Sequence, residues 1–158
     1  MSNLNYIAIA RKDIGLREIK GPQHAPRISA MLRKVGAWWR DDETPWCGVA
    51  LAAWFEEAGL PYPKAYYRAL SWLDYGKAAG MQYGAIAVLK RKGGGHVGIV
   101  TGMTHTGSHV RLLGGNQNDM VCEMWFPIDR IAAFRLPLGA IDIPTPIATL
   151  GRLSKSEA

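Results

Sequence analysis

Cysteine is scarce in this chain, with only Cys47 and Cys122 among 158 residues. Small exported domains held by disulfides carry more cysteines at closer spacing, so a disulfide framework is excluded. A chain of this length buries roughly 70% of its unfolded surface on folding. With 48% apolar residues it can build one core unaided. Long apolar runs are also missing. The opening segment offers only Tyr6 to Ala10, too short for a signal peptide or a spanning helix. The expectation is synthesis in the cytoplasm without a signal peptide, and no stable membrane insertion. Neither CxxC nor HExxH occurs, and THTGSH lies in a glycine-containing turn, so no metal and no cofactor is expected. Basic runs are few. The net charge is +6, yet only Lys90-Arg91-Lys92 stands together. A dispersed excess fits a solvated surface in contact with an anionic partner better than a nucleic-acid track, so no nucleic acid is expected.

No internal repeat interrupts what is present, and the chain reads as one domain over residues 1–142 with a loose tail over 143–158. The first half is helical in pattern. Leu4, Ile7, Ala8 and Ile14 can line one face, and Ile28, Met31, Leu32 and Val35 repeat at helical spacing before Gly36 supplies a stop. A third helix has the clearest signals: Thr44 as N-cap, Pro45 in the first turn and Gly59 at the C-terminal end. Cys47 falls in its first turn, and Ala50, Leu51, Trp54 and Phe55 follow on the same face. A short helical stretch is expected around Ala65 to Leu73. Five strand-like runs come next: Ala85 to Lys90, His96 to Met103, His109 to Leu113, Val121 to Phe126 and Ala132 to Leu136. Helices followed by a meander of strands predict an α+β domain, with a mostly antiparallel sheet packed on the cysteine-bearing helix.

The helix start carries the first chemical signal. Unpaired N–H groups and the positive end of the helix dipole favour a thiolate at Cys47. The opposing reading is a buried cysteine filling space beside Trp46 and Trp54. GGGHVGIV places His96 after three glycines at the head of a strand, where an imidazole can face a partner helix. A base also needs a group to hold its proton on the far nitrogen. In LLGGNQND, Asn116 and Gln117 lie on opposite faces of an alternating strand, and either amide fits. Cys122 alternates with Met124 and Phe126 and reads as a buried strand residue.

Three segments, DDETPWCGVALAAWFEEAGLPYP, GAIAVLKRKGGGHVGIVTG and LLGGNQNDMV, together resemble the NlpC-type and CHAP-type cell-wall cysteine peptidases, in particular small phage or bacterial members. The resemblance runs from Ile14 to Leu136 with the blocks in the family's order. It implies a papain-like α+β fold in which Cys47 is the nucleophile and His96 the general base. It places the orienting residue at Asn116, with Gln117 as second choice, because the double glycine can shift the register by one. The implied reaction is hydrolysis of a peptidoglycan amide, by an endopeptidase or amidase acting as a phage endolysin or an antibacterial enzyme. A monomer delivered to the wall after synthesis is expected. Asp42, Trp46 and Trp72 are the candidates for substrate binding; for the tryptophans the competing role is core. A catalytically inactive envelope-binding module on the same fold is the alternative.

Overall fold

The apolar stretch Cys47 to Phe55 forms nine consecutive buried residues, and everything else is arranged around it. The computed structural model describes residues 5–17, 26–36, 46–91 and 94–137. Three helices, α1 (Asn5–Arg11), α2 (Pro26–Lys34) and α3 (Cys47–Glu57), precede a 3-10 helix at Ala69–Asp74. Six strands follow: β1 (Lys77–Ala78), β2 (Ile86–Arg91), β3 (Gly94–Met103), β4 (His109–Gln117), β5 (Met120–Pro127) and β6 (Ile131–Leu136). They form one sheet in the order β1-β6-β2-β3-β4-β5, and every adjacent pair is antiparallel. The protein is therefore α+β with a mixed order rather than a plain meander. Strands β2 to β5 run in sequence, but β6 returns to the far side of β2, with a register shift at Val88/Leu89.

Both faces of this sheet are apolar. Ile86, Val88, Val97, Ile99, Leu113 and Val121 pack with the three helices. The alternate residues Ala87, Leu89, Val100, Val110, Leu112 and Phe126 form a second cluster on the other face. That division follows from the period-two pleat, which sends neighbours along a strand to opposite sides.

Helix α3 ends as the sequence predicts. Gly59 takes φ +75°, while Gly59 N donates to Glu56 O at 3.1 Å and Leu60 N to Phe55 O at 2.8 Å. This is the paired closure of a Schellman turn, which a left-handed residue makes possible. The start differs from expectation. The N-cap is Trp46, which supplies no side-chain cap, and Cys47 is the first helical residue; Thr44 and Pro45 lie outside the described residues. Helix α2 buries Ile28, Met31 and Leu32 as predicted. Helix α1 does not follow its predicted face. Tyr6, Ile7 and Ala10 are buried, Ala8 is exposed and Ile14 is 44% exposed beyond the helix end. Counting only aliphatic positions overlooked Tyr6. Its ring meets Phe55 edge-on at 4.7 Å, and its hydroxyl donates to Gly84 O at 2.6 Å, so one side chain satisfies both packing and polarity.

The three helices are tied by charge. Arg27 grips Asp13 through Nε at 3.1 Å and Nη2 at 3.0 Å, reaches Glu57 at 2.8 Å, and Trp54 Nε1 donates to the same Asp13 carboxylate at 2.9 Å. This network fixes the long axis of α3 and hence where Cys47 stands. Leu4 and the expected tail, residues 143–158, lie outside the described residues. Among the described residues no helix is long and apolar enough to cross a membrane.

Candidate active site

Cys47 is buried, with 5% of its surface exposed, and is in no disulfide. Its helix meets the sheet at Gly115 of β4. A Cβ on Gly115 would stand 2.8 Å from both Ala50 Cβ and Trp46 Cζ3, closer than carbon atoms tolerate. The absent side chain lets the start of α3 lie directly on the β3–β4 ribbon.

His96, 4% exposed, and Gln117, 3% exposed, are buried polar groups that satisfy each other. His96 Nε2 lies 2.8 Å from Gln117 Oε1. The other end of the same amide is committed, since Gln117 Nε2 donates to Leu112 O at 3.2 Å and Cys122 O at 2.8 Å. Flipping the amide would turn its oxygen toward two carbonyl oxygens, so Oε1 must face the imidazole. An amide oxygen only accepts. His96 Nε2 therefore carries the proton, which leaves Nδ1 with the basic lone pair of the neutral ring. The ring is further held by Phe126, stacked at 5.5 Å with an interplanar angle of 29°.

Why Gln117 and not Asn116 meets the ring is a matter of register. Gly114 pairs with Cys122 and Gln117 with Met120, with a register shift between the two pairs. One extra residue is thus accommodated in β4, and Asn116 takes φ +57°. Such a bulge exchanges the faces of the residues that follow it. Gly114 makes the exchange possible, because a Cβ there would stand 2.7 Å from Gln117 Oε1. The two glycines thus serve opposite faces, Gly114 for the amide and Gly115 for the helix. Asn118 and Asp119, at φ +53° and +59°, then form the two-residue hairpin turn into β5, with the positive φ at both central positions that a type I′ turn requires.

The pleat also sorts the candidates by side. Val97 shares a cluster with Cys47, so His96, its immediate neighbour, points to the opposite face, where it stacks on Phe126. The structure brings His96 and Gln117 into contact there, and places Cys47 under the same ribbon on the helix side. The other thiol, Cys122, is on the imidazole side, its Sγ 3.8 Å from Gln117 Nε2. Burial pushes its thiol pKa up, against the hydrogen bond from Gln117, which lowers it.

Of the remaining candidates, Asp42 lies outside the described residues. Trp46 and Trp72 are 1% and 0% exposed, so both stand in the core as placed. Trp72 Nε1 donates to Tyr66 O at 3.1 Å. Trp46 Nε1 is buried without a hydrogen-bond partner among the described residues. Sequence patterning had no means of finding that orphan donor, since it arises only when the indole is trapped between α3 and Gly115.

No family model matches this chain, and neither a curated protein nor a solved structure does.

The Gln117 contact makes a discriminating prediction. Gln117→Leu leaves the imidazole N–H and two carbonyls without their partner, a loss of about 1–3 kcal/mol in stability, and frees the ring to adopt the other tautomer. Any reaction that uses His96 as base should slow by roughly one to two orders of magnitude. Asn116→Ala should retain the rate and cost only about 1–2 kcal/mol, the penalty of a left-handed residue with a Cβ that cannot hydrogen-bond locally. Parallel thermal melts and rate measurements separate the two.

Proposed function

We propose that the protein is a thiol hydrolase of bacterial peptidoglycan, of papain-like NlpC or CHAP type, with Cys47 as nucleophile, His96 as base and Gln117 as its positioning residue. The observation that carries this reading is the His96–Gln117 contact at 2.8 Å, which fixes an imidazole tautomer with a basic Nδ1; a cysteine opens α3 across the same β3–β4 ribbon. The chain order of cysteine on a helix, histidine on a strand and amide on the next strand supports the same reading.

The chemistry follows from those roles. Nδ1 of His96 takes the Cys47 proton, and the sulfur attacks the carbonyl carbon of a wall-peptide amide. The tetrahedral oxyanion is received by N–H groups at the start of α3. Collapse breaks the C–N bond as the imidazolium hands its proton to the departing amine. Water, activated by the same nitrogen, then attacks the thioester and releases the acid and the free thiol. For that transfer the sulfur and the imidazole, set on different sides of β3, must approach each other around the strand's N-terminal edge. A Cβ on Gly94, the strand's first residue, would touch nothing within 4 Å among the described residues.

The net charge of +6 suits an anionic envelope, and action at the wall after delivery from the cytoplasm, as a phage or antibacterial enzyme, completes the proposal. Digestion of purified sacculi tests it. Soluble fragments bearing new amino groups, identified by mass spectrometry, are the expected products. Intact sacculi that bind the protein without fragment release would instead mark an envelope-binding module.

One geometric observation favours a variant of this reading. Cys122 stands on the imidazole side and near the Gln117 amide, so it is the rival nucleophile. Its raised thiol pKa argues against it, and single-cysteine variants decide.

A further inference from the structure

Between α3 and the sheet the chain makes a detour, Pro61 to Gly76, that the proposed chemistry does not use. It encloses an open groove of about 400 Å³ lined by Pro61, Tyr62, Pro63, Ser71, Asp74 and Tyr75. Its walls are pinned. Tyr75 OH donates to Pro61 O at 2.5 Å, the Ser71 hydroxyl lies 2.7 Å from both Ala65 O and Arg68 O, and Trp72 Nε1 holds Tyr66 O. A groove held this firmly loses little entropy on filling.

Its chemistry is specific. Two tyrosines and two prolines offer apolar C–H-rich surface, and the exposed Asp74 carboxylate sits at the edge as an acceptor. No cation is among the lining residues, and Arg135 behind the wall spends its guanidinium on the Tyr75 and Gly76 carbonyls at 2.6 and 3.3 Å. An uncharged sugar ring, with C–H faces for the aromatics and hydroxyl donors for a carboxylate, matches all three features, and the volume falls within the usual range for small-ligand sites.

The groove is joined to the proposed reaction centre from two directions. A row of rings leads from it, Tyr62 to Tyr66 at 5.8 Å and Tyr66 to Tyr67 at 5.6 Å. The Tyr66 carbonyl lies against Gly48, next to Cys47. Farther along the same segment, Leu70 packs on Gly95, next to His96, where a Cβ would stand 2.7 Å from Leu70 Cδ2. Tyr67 and Leu70, 40% and 36% exposed, are the exposed apolar side chains of this segment.

We propose that this groove is a saccharide subsite that seats a neutral sugar of the wall glycan beside the peptide being cut. The inference rests on the wall-substrate reading above, but its test does not depend on hydrolysis. Cys47→Ala protein is titrated with the N-acetylglucosamine trimer and followed by NMR. Saturable shifts in the groove residues are expected, with Tyr62→Ala and Asp74→Asn each weakening binding about tenfold; Asp74→Asn changes an exposed residue and should leave the melting temperature in place. Absence of binding, or binding indifferent to both changes, overturns the subsite. Wild-type digestion of sacculi reports on the other reading separately: trimer binding without fragment release leaves the subsite standing and removes the hydrolase, and fragment release without trimer binding does the reverse.

Discussion

Cys47→Ala will release no amino groups from sacculi above the background rate, a loss of roughly a thousandfold or more, if Cys47 is the sulfur that forms the acyl-enzyme as proposed. His96→Ala should fall about as far, since residues acting as one unit lose most of their effect when any member is removed. Cys122→Ala should retain activity. The distinction matters because neither thiol is in a disulfide and Cys122 is the one near the Gln117 amide. Replacing a 5%-exposed cysteine by alanine removes little volume, so the Cys47 variant should keep its thermal melt within about 1–2 kcal/mol. An inactive but folded protein then reports on chemistry and not on unfolding.

The second large effect is on architecture. Gly48 faces the Tyr66 carbonyl so closely that a Cβ would collide with that oxygen. The oxygen belongs to a pinned backbone, held by Trp72 Nε1, and cannot swing aside as a flexible side chain would. Gly48→Ala should therefore cost about 3 kcal/mol or more, well beyond the small gain an exposed helical glycine gives on the same change. Denaturant unfolding measures it. Wild-type-like stability would show that α3 and the 61–76 segment are not packed as described, and would also loosen the link between the groove and Cys47.

Much of this arrangement could be read from residue order. Helical spacing located α2 and the face of α3, Gly59 marked its end, and five of the six strands were visible as short β-rich runs. What escaped was whatever depends on a local break or a distant partner. The two-residue β1 has no periodicity to detect. The pairing of β6 with β2 rather than β5 is decided by burying Phe134 and Leu136 on the second apolar face, a long-range choice. Alternation left either amide open and the family resemblance placed the role at Asn116 with Gln117 second, but the bulge between Gly114 and Gln117 handed the contact to Gln117. The double glycine signalled that a slip was possible without saying which way it went. The same alternation, applied to His96 and Val97, sets the imidazole on the face opposite the helix, and that consequence emerges only once Val97 is seen to pack with Cys47.

Because the sulfur and the imidazole lie on different sides of β3, the decisive measurement is which thiol reacts, and under whose control. Limiting iodoacetamide is added to the native protein across pH 5 to 9, and the labelled cysteine is identified by peptide mass spectrometry in wild type, His96→Ala and Gln117→Leu. The account predicts that Cys47 is labelled first, that its labelling persists at acidic pH where ordinary thiols are silent, and that His96→Ala abolishes this acidic reactivity while Gln117→Leu weakens it. Labelling of Cys122 ahead of Cys47, or Cys47 reactivity unchanged by removing the imidazole, would contradict it.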